Sequence, residues 1–373
     1  MSKRTLDKIG LPIPLLGFGA MRLPMLDKSH IDTEQVAKMV DYSLANGFNY
    51  FDTAYPYHDK QSEIVMREAL VKRHPRESFY LADKMPVWLV KETKDYDTYF
   101  NEQLKKCGVD YFDFYMLHAL NRNSAKKCSE QGGFEFLKRM KAEGKIRFGG
   151  FSFHDEPEIL QQILDENPGL DFVQLQINYL DWEGMRSEEC YRIARAHDIP
   201  IIIMEPVKGG SLASFPPHIE AIFKEACPTS SVASWAIRYC ASLEGVMTVL
   251  SGMSNLEQLY DNVGTMSQFK PITHEEEQVL RKVLEEYRKI PVIPCTSCKY
   301  CVDDCPSQIN IPQVFNIYNL YKRTNSKEMA SGRYSGIDPQ KRADSCISCG
   351  SCVTHCPQHI DIPRELEKVA EAF

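Results

Sequence analysis

Short apolar runs alternate with amphipathic segments along the first 290 residues of the chain. The runs have the length of buried strands, and apolar residues recur at helical spacing in the segments between them. The pattern predicts strands at 15–19, 50–52, 79–84, 112–118, 146–151, 172–176, 201–205 and 247–250. It predicts helices at 33–46, 62–71, 96–107, 134–143, 156–166, 186–196, 230–240 and 255–266.

This alternation predicts a (β/α)8 TIM barrel, because eight strands that each precede a helix over about 270 residues are typical of that fold. A doubly wound sheet is the alternative. We find no Gly-x-Gly-x-x-Gly opening a helix, and the single Gly17-x-Gly19 carries little weight. A further helix is predicted at 274–290, and Pro291 and Pro294 follow it. We therefore predict a barrel domain over 1–290 and a second, small domain over 291–373, whose cysteine spacing described below makes it ferredoxin-like.

Composition is that of a soluble globular protein, with 43% hydrophobic and 25% charged residues. The net charge of −7 argues against a nucleic-acid partner. The first residues lack the apolar core of a signal peptide. Apolar runs reach about six residues, whereas roughly 18 are needed to cross a bilayer. We expect a cytoplasmic protein with no membrane attachment.

Two cysteine motifs of one spacing, C-x2-C-x2-C-x3-C-P, begin at Cys295 and Cys346. This spacing holds a pair of 4Fe–4S clusters, the fourth cysteine of each motif ligating the other cluster. The region resembles a bacterial-type two-cluster ferredoxin. Zinc sites more commonly use cysteine pairs with a long spacer, and disulfides need an oxidising compartment. We assign Cys295, Cys298, Cys301 and Cys356 to one cluster (cluster I), and Cys346, Cys349, Cys352 and Cys305 to the other (cluster II).

The segments that follow the fourth cysteines also repeat, because 305–312 and 356–363 share the pattern C-P-x-x-I-x-I-P. Proline suits the first turn of a helix, so helices are predicted at 313–319 and 364–372. Residues 325–340, rich in Ser, Gly and charge, are predicted to form a mobile loop. The remaining cysteines are expected to be small buried hydrophobic residues. They are Cys107, Cys128, Cys190, Cys227 and Cys240.

Three chemically active residues, Asp52, Lys84 and His118, lie at the carboxyl ends of successive predicted strands, and Tyr57 follows Asp52. TIM-barrel active sites are built at those ends. A Lys84 ammonium would lower the pKa of Tyr57, and Asp52 would hold that ammonium in place. His118 can donate a hydrogen bond to a carbonyl oxygen. Each residue alone has a structural interpretation, but together they predict a tyrosine acid–base beside a polarised carbonyl.

The same region resembles the aldo-keto reductase family. The similarity covers residues 1 to about 290 and rests on 16–22, 47–57, Ser62-Glu63, Lys84 and 113–118. It implies hydride transfer between a nicotinamide nucleotide and a carbonyl or alcohol, without metal or flavin. It also implies that Tyr57 is the proton donor and that Asp52, Lys84 and His118 complete a catalytic tetrad. With the cysteine motifs, the chain resembles the iron–sulfur-binding branch of the family.

The resemblance implies nucleotide contacts with several departures from the family pattern. Phe153 stands where the family usually has Asn, and Met204 where it commonly has Tyr. Gln258 replaces an Arg that often clamps the 2′-phosphate, and a neutral amide cannot pair bidentately with phosphate. NADPH and NADH therefore both remain candidates. The implied cofactor residues are Gly19, Met21, Asp52, Ser152, Gln174, Met204, Gln258 and Asn262.

Other positions have two interpretations. Lys208, Gly209 and Gly210 either contact a pyrophosphate or form a plain turn. Trp88 and Trp182 either line a substrate pocket or cover the barrel rim. His58-Asp59 replaces the Gly-Asn that usually follows the tyrosine in the family, so the mouth of the pocket is expected to differ.

Two functions agree with these residues. The first is an NAD(P)H-dependent reductase of a small carbonyl compound, with clusters that transfer electrons or sense redox state. The second is an electron-transfer protein whose barrel binds a nucleotide or a partner. The complete tetrad favours the first. Nicotinamide delivers two electrons as hydride and each cluster accepts one, so a flavin or an electron-transfer protein remains a candidate partner. Substrate, direction and oligomeric state are not predicted.

Overall fold

A computed structural model describes residues 2–27, 29–324 and 326–373. Within these residues eight parallel strands close into a barrel, each pairing with the next along the chain and the last with the first. The predicted TIM barrel is confirmed. The strands are β1 Leu16–Gly19, β2 Tyr50–Asp52, β3 Tyr80–Met85, β4 Phe112–Leu120, β5 Ile146–Phe153, β6 Phe172–Gln176, β7 Ile201–Met204 and β8 Val246–Gly252.

Helices connect the strands and continue beyond the last of them. The predicted helices are present, with ends shifted by a few residues. The helix predicted at 62–71 becomes π-helical over Arg67–Val71. The helices are α1 Thr33–Ala45, α2 Ser62–Met66, α3 Lys94–Cys107, α4 Arg122–Gln131, α5 Gly133–Ala142, α6 Pro157–Glu166, α7 Asp181–Gly184, α8 Ser187–Ala196, α9 Pro217–Ala226, α10 Val232–Ser242, α11 Leu256–Ser267, α12 His274–Tyr287, α13 Ile311–Thr324, α14 Lys327–Ser335 and α15 Ile362–Ala372.

Several elements were not predicted. A short antiparallel pair, Lys3–Arg4 with Ile13–Pro14, precedes the barrel. Helices α4 and α9 also escaped prediction. The mobile loop predicted at 325–340 is wrong over Lys327–Ser335, which forms α14. The reason is that Ala330 and Tyr334 are buried and anchor this otherwise polar helix. Asn325 lies outside the described residues.

Large side chains fill the barrel interior below the site. Tyr50, Phe114, Met116 and Phe172 pack there with aliphatic residues from the other strands. Gly150 of β5 is required at this level, because a Cβ atom would lie 2.3 Å from the carbonyl oxygen of Phe172. Close packing between neighbouring strands of the barrel fixes the strand ends that carry the polar residues.

The chain divides into two compact units that do not follow chain order. Unit 1 comprises the residues up to Pro206 together with Ala233–Ile272, and it contains the barrel strands. Unit 2 comprises Val207–Val232 and Thr273–Phe373. The predicted boundary after residue 290 divides the chain by sequence. Packing instead groups α12 and the segment after β7 with the cysteine motifs.

Unit 2 has its own hydrophobic core. Ile309, Val314 and Phe315 pack with Ile362 and Val369. The Phe215 and Tyr287 rings lie 5.2 Å apart and join the segment after β7 to α12. Arg323 of α13 donates hydrogen bonds to Ser211 Oγ at 3.1 Å and to Tyr287 Oη at 3.4 Å. The segment after β7 is thus an integral part of this unit.

Among the helices of the described residues, none combines the length and apolar character needed to cross a membrane.

Candidate functional site

The barrel places the predicted tetrad at the carboxyl ends of adjacent strands. Asp52 is the last residue of β2, and Lys84 and His118 lie near the ends of β3 and β4. All three are buried, whereas Tyr57, in the loop after β2, remains partly exposed. The tyrosine is thus the least buried member of the group.

Lys84 is the centre of this group. Its Nζ atom donates to Asp52 Oδ1 at 2.5 Å and to the carbonyl oxygen of Thr53 at 2.8 Å. The same ammonium lies 4.8 Å from the centroid of the Tyr57 ring. A charged hydrogen bond and a cation–π contact therefore fix the lysine between the acid and the phenol.

Two further aromatic rings lie near the phenol. The His118 ring lies edge-on to Tyr57, with centroids 6.0 Å apart. Trp88 lies 5.2 Å from His118 and is 44% exposed. Trp88 is therefore beside the tetrad. Trp182 instead packs between Tyr191 and Tyr239, which favours the structural interpretation of that residue.

Burial controls the protonation of the tetrad. It raises the pKa of Tyr57 well above 10.0, assisted by Asp52 and Glu205. The sequence led us to expect that Lys84 lowers this pKa. The structure gives the opposite net direction, because loss of water outweighs nearby positive charge. Burial, followed by the nearby Lys84 ammonium, holds the pKa of His118 well below 6.5. The phenol therefore keeps its proton and the imidazole is neutral around pH 7.

Burial also raises the pKa of Asp52, and the Lys84 charge opposes this shift. Gln174 Nε2 donates a long hydrogen bond of 3.4 Å to Asp52 Oδ2, the carboxylate oxygen that Lys84 does not bind. The carboxylate thus has a partner on each oxygen, as a buried charge requires.

The loop after the tyrosine is built from unusual backbone conformations. His58, Asp59 and Lys60 have φ of 50°, 53° and 68°, in the left-handed region. His58 Nε2 accepts the backbone N–H of Leu23 at 3.0 Å and ties the loop to the turn after β1. A non-glycine residue in this region costs of order 1 kcal/mol or more, and such strain clusters at functional sites. The His58-Asp59 departure therefore has a structural role at the rim.

The residues predicted to contact the nucleotide lie on the same side of the barrel but differ in the hydrogen bonds that they make within the protein. Gly19 ends β1, Met21 lies in the following turn, and Met204 ends β7. Ser152 Oγ accepts the N–H of Ala119 at 2.7 Å. Asn262 Nδ2 donates to Ser251 Oγ at 3.0 Å.

Gln258 lies on the exposed first turn of α11, where its Oε1 accepts the N–H of Ser254 at 2.7 Å. An amide at this position caps a turn and offers no positive charge.

A second buried polar network behind Lys84 was missed at the level of sequence. Glu63 pairs with Lys106 and accepts from Gln103 at 3.1 Å, and Gln103 also donates to the carbonyl oxygen of Lys84 at 3.0 Å. Asp83 lies beside Glu63. Burial, followed by the Glu63 charge, raises the pKa of Asp83 well above 3.8. The signal was the strand alternation itself, since Asp83 must point away from the side on which Lys84 lies.

The eight motif cysteines gather around two cavities in unit 2. The first is lined by three cysteines of the first motif and one of the second: Cys295, Cys298, Cys301 and Cys356. The second is lined by Cys346, Cys349, Cys352 and Cys305. This exchange of the fourth cysteine is the arrangement that the spacing predicts.

Backbone geometry in the two loops follows the sequence repeat. Ser297, Lys299 and Gln308 have positive φ, and so do Ser348, Gly350 and His359, at equivalent positions of the second motif. The N–H of Ser297 points to Cys295 Sγ at 3.4 Å, and the N–H of Ser348 to Cys346 Sγ at 3.4 Å. Four thiols around one cavity, with N–H donors to sulfur, fit the requirements of an iron–sulfur cluster.

Of the remaining cysteines, Cys107, Cys128, Cys190 and Cys240 are buried as expected. Cys227 is only partly buried, because it lies in the turn after α9.

The Lys208-Gly209-Gly210 turn lies at the first cavity. Lys208 is buried, and its Nζ donates to Gln358 Oε1 at 3.1 Å. Gly209 has φ of 63°, and a Cβ atom there would lie 2.6 Å from the carbonyl oxygen of Thr296. Gln358 and Thr296 both line the cavity.

An eight-stranded parallel barrel with a buried acid–lysine–histidine group and a tyrosine at its carboxyl rim is the architecture of a TIM-barrel enzyme. Residues 15–285 match the Aldo/keto reductase family, and residues 294–360 match the 4Fe-4S dicluster domain. The chain belongs to the aldo/keto reductase family and is an oxidoreductase that carries a C-terminal 4Fe-4S dicluster domain.

Individual relatives are similar in sequence to most of this chain. The uncharacterised oxidoreductase YqkF of Bacillus subtilis is 24% identical over 314 residues, 75% of this chain and 96% of that protein. The L-galactose dehydrogenase of Arabidopsis thaliana is 23% identical over 309 residues, 77% and 95% of the two chains.

Solved structures show the same fold. An aldo-keto reductase from Bacillus halodurans, AKR11C1, superposes with a TM-score of 0.63 at 26% identity over 76% of this chain and 96% of that one. An aldo-keto reductase from Klebsiella pneumoniae, solved with NADPH, has a TM-score of 0.61 at 20% identity over the same shares.

Proposed function

We propose that the barrel reduces an aldehyde or ketone with NAD(P)H, and that Tyr57 gives the proton to the carbonyl oxygen. The observation that carries this proposal is the position of Lys84, which pairs with Asp52 and lies over the ring of Tyr57, the ring that His118 also contacts. A general acid needs its proton, a fixed position and access to the substrate, and Tyr57 has all three.

The protonation states support the direction of reduction. Because the pKa of Tyr57 is raised, the phenol is protonated at neutral pH and can act as an acid. Transfer of its proton leaves a phenolate, which the Lys84 ammonium 4.8 Å from the ring stabilises by its charge. Neutral His118 has an N–H that can orient the carbonyl oxygen between itself and the phenol.

A nicotinamide nucleotide supplies the hydride when it is bound. Ser152 and Gln174, buried at the ends of β5 and β6, offer the hydroxyl and amide groups that suit a carboxamide. Asn262, on α11, suits the adenine end. Neutral Gln258 gives NADPH no charged anchor for its 2′-phosphate, so both nucleotides are proposed as cofactors. The NADPH-bound Klebsiella relative supports the choice of cofactor class.

In unit 2 we propose two 4Fe–4S clusters, one in each cysteine-lined cavity. These clusters transfer single electrons or sense redox state. The electrons come from or go to a flavin or an electron-transfer protein, since a nicotinamide exchanges electrons in pairs.

The proposal is tested by anaerobic NAD(P)H oxidation against a panel of aromatic and aliphatic aldehydes and ketones. Tyr57→Phe should lower kcat by roughly 10²- to 10⁴-fold, the usual contribution of a general acid. Tyr55→Phe is the matched control. Its hydroxyl bonds Glu102 at 3.2 Å rather than the tetrad, so its rate should stay near wild type. Equal rates for wild type and Tyr57→Phe, or no turnover with any carbonyl, would contradict the proposal.

A further inference from the structure

The two cysteine-lined cavities differ in what covers them. At the first cavity, Thr296 is 1% exposed, whereas its repeat equivalent at the second, Ile347, is 65% exposed. Cys298 is partly buried, and its equivalent Cys349 is exposed. The Lys208–Gly210 turn is the element that contacts Thr296 and Gln358 at the first cavity. A cluster in the first cavity is therefore more shielded from water than one in the second.

The charges at the two cavities differ as well. The first cavity has the buried Lys208 ammonium at Gln358, two residues beyond the ligand Cys356. It also has Lys299 in its lining, at an exposed position. At the second cavity the equivalents are Ser307 for Gln358 and Gly350 for Lys299. Apart from the cysteines themselves, none of the described residues that line the second cavity is ionisable.

These differences act on reduction potential in opposite directions. A reduced cluster carries one more negative charge, so exclusion of water disfavours reduction and lowers the potential. A fixed positive charge nearby favours reduction and raises it. A charge inside the protein is screened less than one in water, so buried Lys208 has more effect than exposed Lys299.

We propose that Lys208 is an electrostatic tuning residue that raises the reduction potential of cluster I and offsets its shielding from water. It acts without ligating iron, and it acts on cluster I and not on cluster II. With that offset, an electron supplied by a one-electron donor at exposed cluster II can pass to shielded cluster I, which gains the electron that cluster II loses. The inference rests on the two-cluster part of the proposed function.

The test is an anaerobic redox titration of the full-length, cluster-loaded protein, with dithionite as reductant and electron paramagnetic resonance as readout. Cys298→Ala and Cys349→Ala assign the signals of clusters I and II. Lys208→Met and Lys208→Gln should move the midpoint potential of cluster I to a more negative value and leave cluster II unchanged. Lys208→Arg should stay near wild type because the charge is kept.

Lys299→Gln is the matched control, because it removes a charge from the same cavity at an exposed position. Its shift should be smaller than that of Lys208→Gln. An unchanged cluster I potential in the neutral Lys208 variants would overturn the inference. So would loss of cluster I from both of them, since Lys208 would then be a structural residue. A wild type with a single cluster would instead refute the two-cluster proposal itself, so the two failures are distinguishable.

Gly209 supplies a second test of the same contact. Gly209→Ala places a Cβ atom against the Thr296 backbone and should displace Lys208, so it should lower the cluster I potential as well. Gly210→Ala is the control: its φ is also positive, at 96°, but nothing lies within 4 Å of its Cβ position. Equal shifts in both variants would show that backbone strain, rather than this contact, is responsible.

Discussion

Lys84 shows how a single residue can organise a site. Its charge opposes the rise that burial causes in the pKa of Asp52, and on the proposed function its place over the ring of Tyr57 supports the phenolate that proton transfer creates. Asp83, the next residue back along β3, faces a different environment and shares a buried network with Glu63. Strand alternation thus gives neighbouring residues opposite roles, one in the site and one in its support.

The Asp83 network leads to a prediction about pH. Because burial and Glu63 raise the pKa of Asp83, the folded state keeps a proton that the unfolded chain releases above about 3.8. The stability that the protonated Asp83 side chain contributes is therefore fully present at low pH, and it falls as pH rises. The Asp83→Asn variant has no carboxyl group to titrate here and so does not lose this stability. Its free energy of unfolding relative to wild type should therefore increase from pH 5 to pH 8. The slope is at most about 1.4 kcal/mol per pH unit.

The measurement is thermal unfolding of both proteins at several pH values in that range. Wild-type and Asp83→Asn melting temperatures that run parallel with pH would show that Asp83 is ionised in the folded state, contrary to this account.

At the scale of elements, β5 and β6 approach each other too closely for a side chain at Gly150. We predict that Gly150→Ala destabilises the barrel by about 1–3 kcal/mol or more, the usual cost of overpacking, because the new methyl group meets the Phe172 carbonyl. Gly149→Ala is the control, since its Cβ would lie 3.4 Å from Leu137 Cβ, an ordinary contact. Free energies of unfolding from denaturant titration should separate the two variants; equal values would refute the packing argument.

The elements also show what sequence can predict. The barrel strands are continuous apolar runs, as in parallel sheets buried on both faces, so their pattern was visible. Helix α14 was not visible in the sequence, because two buried side chains in a polar segment do not produce a periodic pattern. The contact of Lys208 with Gln358 joins residues 150 positions apart and depends on packing alone. The pKa of Tyr57 was mispredicted for a related reason, since charge can be inferred from sequence and burial cannot.

At the scale of the whole molecule, the cysteine motifs are tied together by exchange of their fourth members. We predict that Cys356→Ala, although in the second motif, abolishes the same cluster as Cys298→Ala, because both residues line the first cavity. Cys305→Ala should likewise match Cys349→Ala. Iron content and electron paramagnetic resonance of the reduced variants measure this. A Cys356→Ala spectrum that matched Cys349→Ala would contradict the ligand assignment.

On the proposed function, the chain combines a hydride site with one-electron centres, which gives two routes by which a carbonyl could be reduced. Direct hydride transfer moves hydrogen from nicotinamide carbon to substrate carbon, whereas transfer through the clusters leaves hydrogen to come from water. The complete tetrad in the barrel favours the direct route. On this route the clusters are not needed for the chemistry at Tyr57.

The most direct test uses NAD(P)H deuterated at the transferable C4 position, with a carbonyl substrate found in the panel, and mass spectrometry of the alcohol. We predict deuterium on the former carbonyl carbon, together with a primary isotope effect on turnover. Hydrogen from solvent at that carbon, with no isotope effect, would contradict the account and indicate electron transfer through the clusters.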